Sequence, residues 1–158
     1  MLVNAGNAAM NQQKGEPLGR VSVELALANY QDMLLAEAGT LAPERVRHAR
    51  LPAIVDTGAT RLVLPEPIVT QLGLPRAGEA MVRYADQRTT LVRDVWLTLQ
   101  GRQATFTAIV EPDRRDALIG AIVLEELDLV VDCATQTLQP RDPDRTVSEI
   151  EGQQLSES

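Results

Sequence analysis

A small, closed β-barrel with one or two short helices is the fold the sequence predicts, and three observations predict it. The body of the chain is rich in Val, Leu, Ile and Thr, in short runs broken by Gly and Pro. Several runs alternate apolar and polar residues, as half-buried strands do. At 158 residues the chain has the length of one domain and can bury roughly 68–70% of the surface its unfolded form exposes, so its core needs no covalent staple.

Residues 1–17 are small and polar without a period, and residues 141–158 (RDPDRTVSEIEGQQLSES) are acidic without an apolar stripe. Both are expected to be disordered tails around a domain spanning 18–140. VSVELALANY (21–30) alternates as a half-buried strand should. QDMLLAEAG (31–39) suits a helix capped by Gly39 or a strand; the turn-like stretch from Thr40 to Glu44, leading into the extended run VRHARLPAIV (46–55), favours strand. RLVLP (61–65) is a short strand, and PIVTQLGLP (67–75) gives one or two helical turns opened by Pro67 and stopped by Gly73.

MVRY (81–84) and TTLVRDVWLTL (89–99) form a hairpin across Ala85-Asp86-Gln87-Arg88, and QATFTAIVE (103–111) is a further strand. DALIG (116–120) runs apolar into a glycine, and AIVLEELD (121–128) sets Ile122, Leu124 and Leu127 at helical spacing. LVVD (129–132) and TLQP (137–140) close the body as a hairpin across Cys133 to Gln136. Many strands, very short helices and no internal repeat point to a barrel.

Charge and composition exclude several functions. The formal charge is −7 and the arginines are scattered among acids, which offers no basic surface for nucleic acid. Tyr30, Tyr84, Trp96 and Phe106 make no base-stacking platform. The first twenty residues lack the basic start and apolar run of a signal peptide, and no stretch nears the roughly 18 apolar residues of a membrane span. A cytoplasmic protein without a membrane partner is therefore expected. The single cysteine, Cys133, beside Asp132, reads as a turn or buried thiol, and the single histidine, His48, sits among Arg45, Arg47 and Arg50 on a solvated strand face. Glu125, Glu126 and Asp128 read as a solvated acidic face. No metal site and no cofactor are expected, since metal-ligand clusters and glycine-rich phosphate loops are missing from the sequence.

One stretch carries chemistry: LPAIVDTGATRLVLP (51–65). Apolar residues lead into Asp56, which is followed by Thr57, Gly58, Ala59 and Thr60. An acid ending a strand is ordinarily a solvated turn residue or a helix cap. Here Gly58 permits a turn closed to residues with side chains, and Ala59 adds little bulk, so another backbone can come close. Leu118-Ile119-Gly120 follows downstream, immediately ahead of a short helix.

Together Asp56-Thr57-Gly58-Ala59, a hairpin, and Leu118-Ile119-Gly120 before a helix resemble the retropepsin-like (retroviral-type) aspartic proteases, over roughly residues 20–140. The resemblance implies an acid protease barrel and an endopeptidase acting on extended peptides without cofactor. The reaction needs two carboxylates around one water, and like charges about 3 Å apart cannot both ionise. The chain has one Asp-Thr-Gly and no Asp-Ser-Gly, so the resemblance implies a homodimer with Asp56 of each subunit on the axis. Thr57 would bond across the pair, Gly58 would offer its backbone to substrate, and Leu118, Ile119 and Gly120 would pack behind the loop. The hairpin around Tyr84, Ala85, Asp86, Gln87 and Arg88 would be the flap over the peptide. Its tip has no glycine.

Viral members often place an acid just after the active-site Ala and an arginine just after the downstream Gly, forming a brace. Thr60 and Ala121 stand there instead, which puts the chain nearer the cellular and bacterial branch. The alternative is a non-catalytic dimerisation or peptide-binding domain that keeps the barrel. Leu62 and Val63 could line a pocket or fill the core, and the core is the expectation.

Overall fold

The computed structural model describes residues 20–82 and 87–148. In chain order the elements are β1 (Val21–Asn29), α1 (Tyr30–Glu37), one 3₁₀ turn (Pro43–Arg45), β2 (His48–Val55), β3 (Leu62–Pro65), α2 (Glu66–Leu72), β4 (Arg76–Val82), β5 (Gln87–Leu99), β6 (Arg102–Glu111), β7 (Ala117–Ile119), α3 (Ala121–Leu127), β8 (Leu129–Asp132) and β9 (Thr137–Pro140). The expected small closed barrel is present. Six strands close a ring in the order β1-β2-β7-β3-β6-β5, because β5 returns to pair with β1. β4 lies outside the ring on the first half of β5, and β8 pairs with β9 in a separate hairpin.

Side-chain alternation builds the core. Along β6 every second residue from Arg102 to Val110 is buried and the intervening ones are partly exposed. Leu25, Leu27, Leu62, Leu64, Leu97, Leu99 and Ile119 are fully buried, with Val69 and Leu72 of α2 and Val123 and Leu127 of α3 closing over them. Leu62 and Val63 are buried, as expected. β5 serves two structures. Its residues 87–92 pair with β4, and Val95–Thr98 pair with β1. A bulge between Val92 and Val95 separates the halves, where Asp94 takes a positive φ of 60°.

Residues 30–37 depart from the strand expected there. They form α1, which raises the described helices to three, and the reason is polar. The Asn29 side chain accepts the Asp32 amide at 2.9 Å, capping the helix, and Gly39 leaves it at φ +84°. Asn29 also donates to the Leu72 carbonyl at 2.8 Å. Asp32 takes Arg47 Nε at 2.8 Å and Nη2 at 3.1 Å. α1 buries this aspartate and none of its apolar residues, while Leu34 and Leu35 are exposed. An apolar stripe was therefore never written into it.

β4 begins at Arg76 and β5 at Gln87, so the hairpin is longer than its sequence reading. Gln87 and Arg88, assigned to the tip, pair in the ladder with Val82 and Met81. Tyr84, Ala85 and Asp86 lie outside the described residues. No described helix is long and apolar enough to cross a membrane.

Candidate active site

Asp56 follows the last residue of β2. β7 lies between β2 and β3, running parallel to β2 with Ile54 opposite Leu118 and Val55 opposite Ile119, and antiparallel to β3 at Val63. The Asp56 amide donates to the Ile119 carbonyl at 3.0 Å, carrying the ladder one residue past the strand. That bond fixes where the acid leaves the sheet.

The turn then closes on itself. Asp56 Oδ1 accepts the Gly58 amide at 2.9 Å, and the Asp56 carbonyl accepts the Ala59 amide at 3.0 Å. A Cβ on Gly58 would stand 3.3 Å from Asp56 Oδ1, which would press on the carboxylate. Asp56, Thr57, Gly58 and Thr60 are exposed and Ala59 is half-buried.

Behind the loop sits the second motif. Ile119 and Gly120 are buried and Leu118 is half-buried. The first amides of α3, which have no partner within a helix, reach the loop: Ala121 donates to the Ala59 carbonyl at 2.8 Å and Ile122 to the Thr60 carbonyl at 2.9 Å. Such closeness requires glycine at 120. A Cβ there would lie 2.6 Å from the Arg61 oxygen, 2.7 Å from the Thr60 carbonyl carbon and 2.8 Å from the Ala59 oxygen. Asp56, Thr57, Gly58, Ala59 and Thr60 are thus joined to Leu118, Ile119 and Gly120 in one backbone network. Where the viral pattern has a charged brace, main-chain bonds tie Ala121 to Ala59 and Ile122 to Thr60.

These observations meet a family finding. A model of the aspartyl protease family matches residues 42–123, just over half of the chain, and the match contains both motifs. The chain belongs to the aspartyl protease family. No curated protein sequence matches it. Among solved structures it is similar to a foamy viral protease-reverse transcriptase in complex with double-stranded DNA, at 18% identity and TM-score 0.42. That likeness covers 48% of this chain and spans 13% of the other. It is similar to EIAV protease complexed with the inhibitor HBY-793, at 16% identity and TM-score 0.47, over 76% of this chain and 94% of that one. It is also similar to the retroviral protease-like domain of Ddi1 from Leishmania major, at 15% identity and TM-score 0.49, over 77% and 90%.

Sequence reasoning missed one buried acid, at the far end of α3 from this loop. Asp128, read as part of a solvated acidic face with Glu125 and Glu126, is 2% exposed, although the two glutamates are exposed as expected. It ends α3 in a left-handed conformation, φ 59° and ψ 47°. Its carboxylate accepts Arg141 Nε at 2.8 Å and the Asp142 amide at 3.1 Å, and Arg102 and Arg145 stand at 3.6 Å. The Arg141 side chain holds the Asp128 carboxyl below the usual carboxylate range, against the opposing effect of burial. Its partners lie 13 and more residues away in sequence, so no local pattern announces them.

Proposed function

We propose that the chain is an aspartic endopeptidase working as a homodimer, with Asp56 of each subunit forming the catalytic pair. The observation that carries this reading is an exposed carboxylate on a loop held by main-chain bonds, flanked by residues too small to keep a second loop away. Membership of the aspartyl protease family supports it, and one Asp-Thr-Gly per chain makes the second subunit necessary.

In that dimer the ionised Asp56 takes a proton from a water as its oxygen attacks the peptide carbonyl carbon. The protonated Asp56 of the partner subunit gives its proton to the carbonyl oxygen, producing a gem-diol. As the diol collapses and the C–N bond breaks, the first Asp56 gives the water's proton to the leaving nitrogen, and the now ionised Asp56 of the partner subunit takes a proton from a diol hydroxyl. The Gly58 amide on Asp56 Oδ1 sets the carboxylate's orientation before substrate arrives, so that reorganisation is avoided during reaction. Thr57 bonds across the pair, and the β4–β5 hairpin covers an extended peptide segment and excludes water. No cofactor takes part.

The test is a peptide-library digest read by mass spectrometry, with wild type and Asp56→Asn compared at matched dimer concentration. Acid–base assistance is worth about 10²–10⁴-fold, so the variant should lose nearly all cleavage. Specific activity should also fall on dilution below the dimer dissociation constant. Folded dimers that cut nothing in either form would make the chain a peptide-binding or dimerisation domain instead. Equal cutting by both would remove Asp56 from the mechanism.

A further inference from the structure

Helix α3 is tied at both ends. At its start, Ala121 and Ile122 donate to the carbonyls of Ala59 and Thr60 in the Asp56 loop. At its end, Arg102 Nη1 donates to the Leu127 carbonyl at 2.9 Å, and its Nη2 donates to the Asp142 carbonyl at 2.9 Å. Asp128 holds Arg141 and the Asp142 amide through its carboxylate, and its carbonyl accepts the Arg141 amide at 2.9 Å. The segment after β9 continues along the barrel, where the Gln103 amide donates to the Val147 carbonyl at 2.8 Å and Gln103 bridges Ser148 in parallel. The helix is seven residues long, about two turns, and Val123, Leu124 and Leu127 are buried along it. A short packed helix moves as a unit, so a shift at one tie is felt at the other.

We propose that Asp128 and Arg141 are positioning residues for the active-site loop, with residues 141–148 acting as a strap that sets α3 and, through Ala121 and Ile122, the place of Asp56. The chain lacks the charged brace beside the loop, and this buried ionic node at the far end of the same helix takes over its duty. Arg102 is 8% exposed and serves as the fixed post, whereas Arg141, 66% exposed, is the detachable arm. The activity arm of this inference rests on the protease reading; the structural arm does not.

The experiment compares wild type with Arg141→Gln, Asp128→Asn and the double variant. Arg141 is largely exposed, and asparagine tolerates the left-handed conformation at 128, so the variants keep the fold. Amide hydrogen exchange at Ala121 and Ile122 should quicken about three- to thirty-fold in each single variant, the range that coupling through a packed network supports. The double variant should add little at these two amides, since both singles cut the Asp128–Arg141 tie, and the quickening there should exceed that of β1 amides, which follow global stability. Peptide hydrolysis should show kcat falling by a similar factor with KM unchanged. If Ala121 and Ile122 keep wild-type exchange while the Arg141 and Asp142 amides quicken, the strap is a local tie and the inference is overturned. If wild type cuts no peptide, the exchange result alone decides this inference, and the protease reading is what fails.

Discussion

Replacing Gly120 by alanine tests whether the closeness of the two motifs holds the active-site loop in place. The new Cβ would lie 2.6 Å from the Arg61 oxygen and 2.8 Å from the Ala59 oxygen. Relief to an ordinary contact of about 3.5 Å requires the loop to retreat by nearly an ångström. The opposing atoms are backbone, with no rotamer to yield. A retreat of that size stretches the Ala121 and Ile122 bonds, now 2.8 and 2.9 Å, beyond useful range. Overpacking costs about 1–3 kcal/mol. Each lost hydrogen bond adds about 0.5–1.5 kcal/mol, not fully additively. A total of about 2–4 kcal/mol lowers Tm by roughly 8–16 °C at about 4 °C per kcal/mol. The assay is thermal unfolding followed by circular dichroism at fixed protein concentration, beside peptide hydrolysis. A variant that melts within a degree or so of wild type and keeps its activity would refute the steric reasoning.

Three further outcomes are expected. Gly58→Ala presses on Asp56 Oδ1 at 3.3 Å and meets no backbone wall, so it should cut kcat about tenfold or more while moving Tm by little; equal losses in both would contradict this. Truncation after Pro140 removes Arg141, Asp142 and Val147, so it should lower the urea midpoint relative to the full chain. Stability should fall in acid. The side-chain bond from Arg47 holds the Asp32 carboxyl low, as the bond from Arg141 holds that of Asp128. With folded-state values depressed, the unfolded chain binds more protons below about pH 4, the ordinary Asp range. The contribution is therefore whole above that pH and is lost as pH falls through the folded values. A urea midpoint that holds steady from about pH 5 down to about pH 2.5 would contradict it.

The barrel was legible because its strands carry their burial in their spelling. Residues 103–108 alternate polar with apolar as their burial does, and Pro67 and Gly73 bracket α2 as punctuation does. The candidate site was legible as two short motifs, Asp56-Thr57-Gly58 and Leu118-Ile119-Gly120, whose contact the fold supplies. What escaped were features organised by polar groups far apart in sequence. α1 turns on Asn29, Asp32 and Arg47, and its exposed leucines mimic no stripe. Asp128 looks like its glutamate neighbours until Arg102, Arg141 and Arg145 converge on it. Residues 76–79 of β4 are exposed and bear no alternation, so their strand is set by pairing with β5 alone.

The bonds from Ala121 and Ile122 to the active-site loop are made by main-chain atoms, and this changes what inheritance can alter. A brace built of two charged side chains can be lost by a single base change at either codon. One built of amides survives almost any replacement at 121 and 122, so long as glycine stays at 120. Proline is the exception. At residue 121, the first of α3, the helix itself would welcome proline, whose missing N–H costs a helix nothing at that position. The loop would still lose its donor. In a library of all substitutions, position 121 should therefore admit many residues and reject the one its own helix prefers.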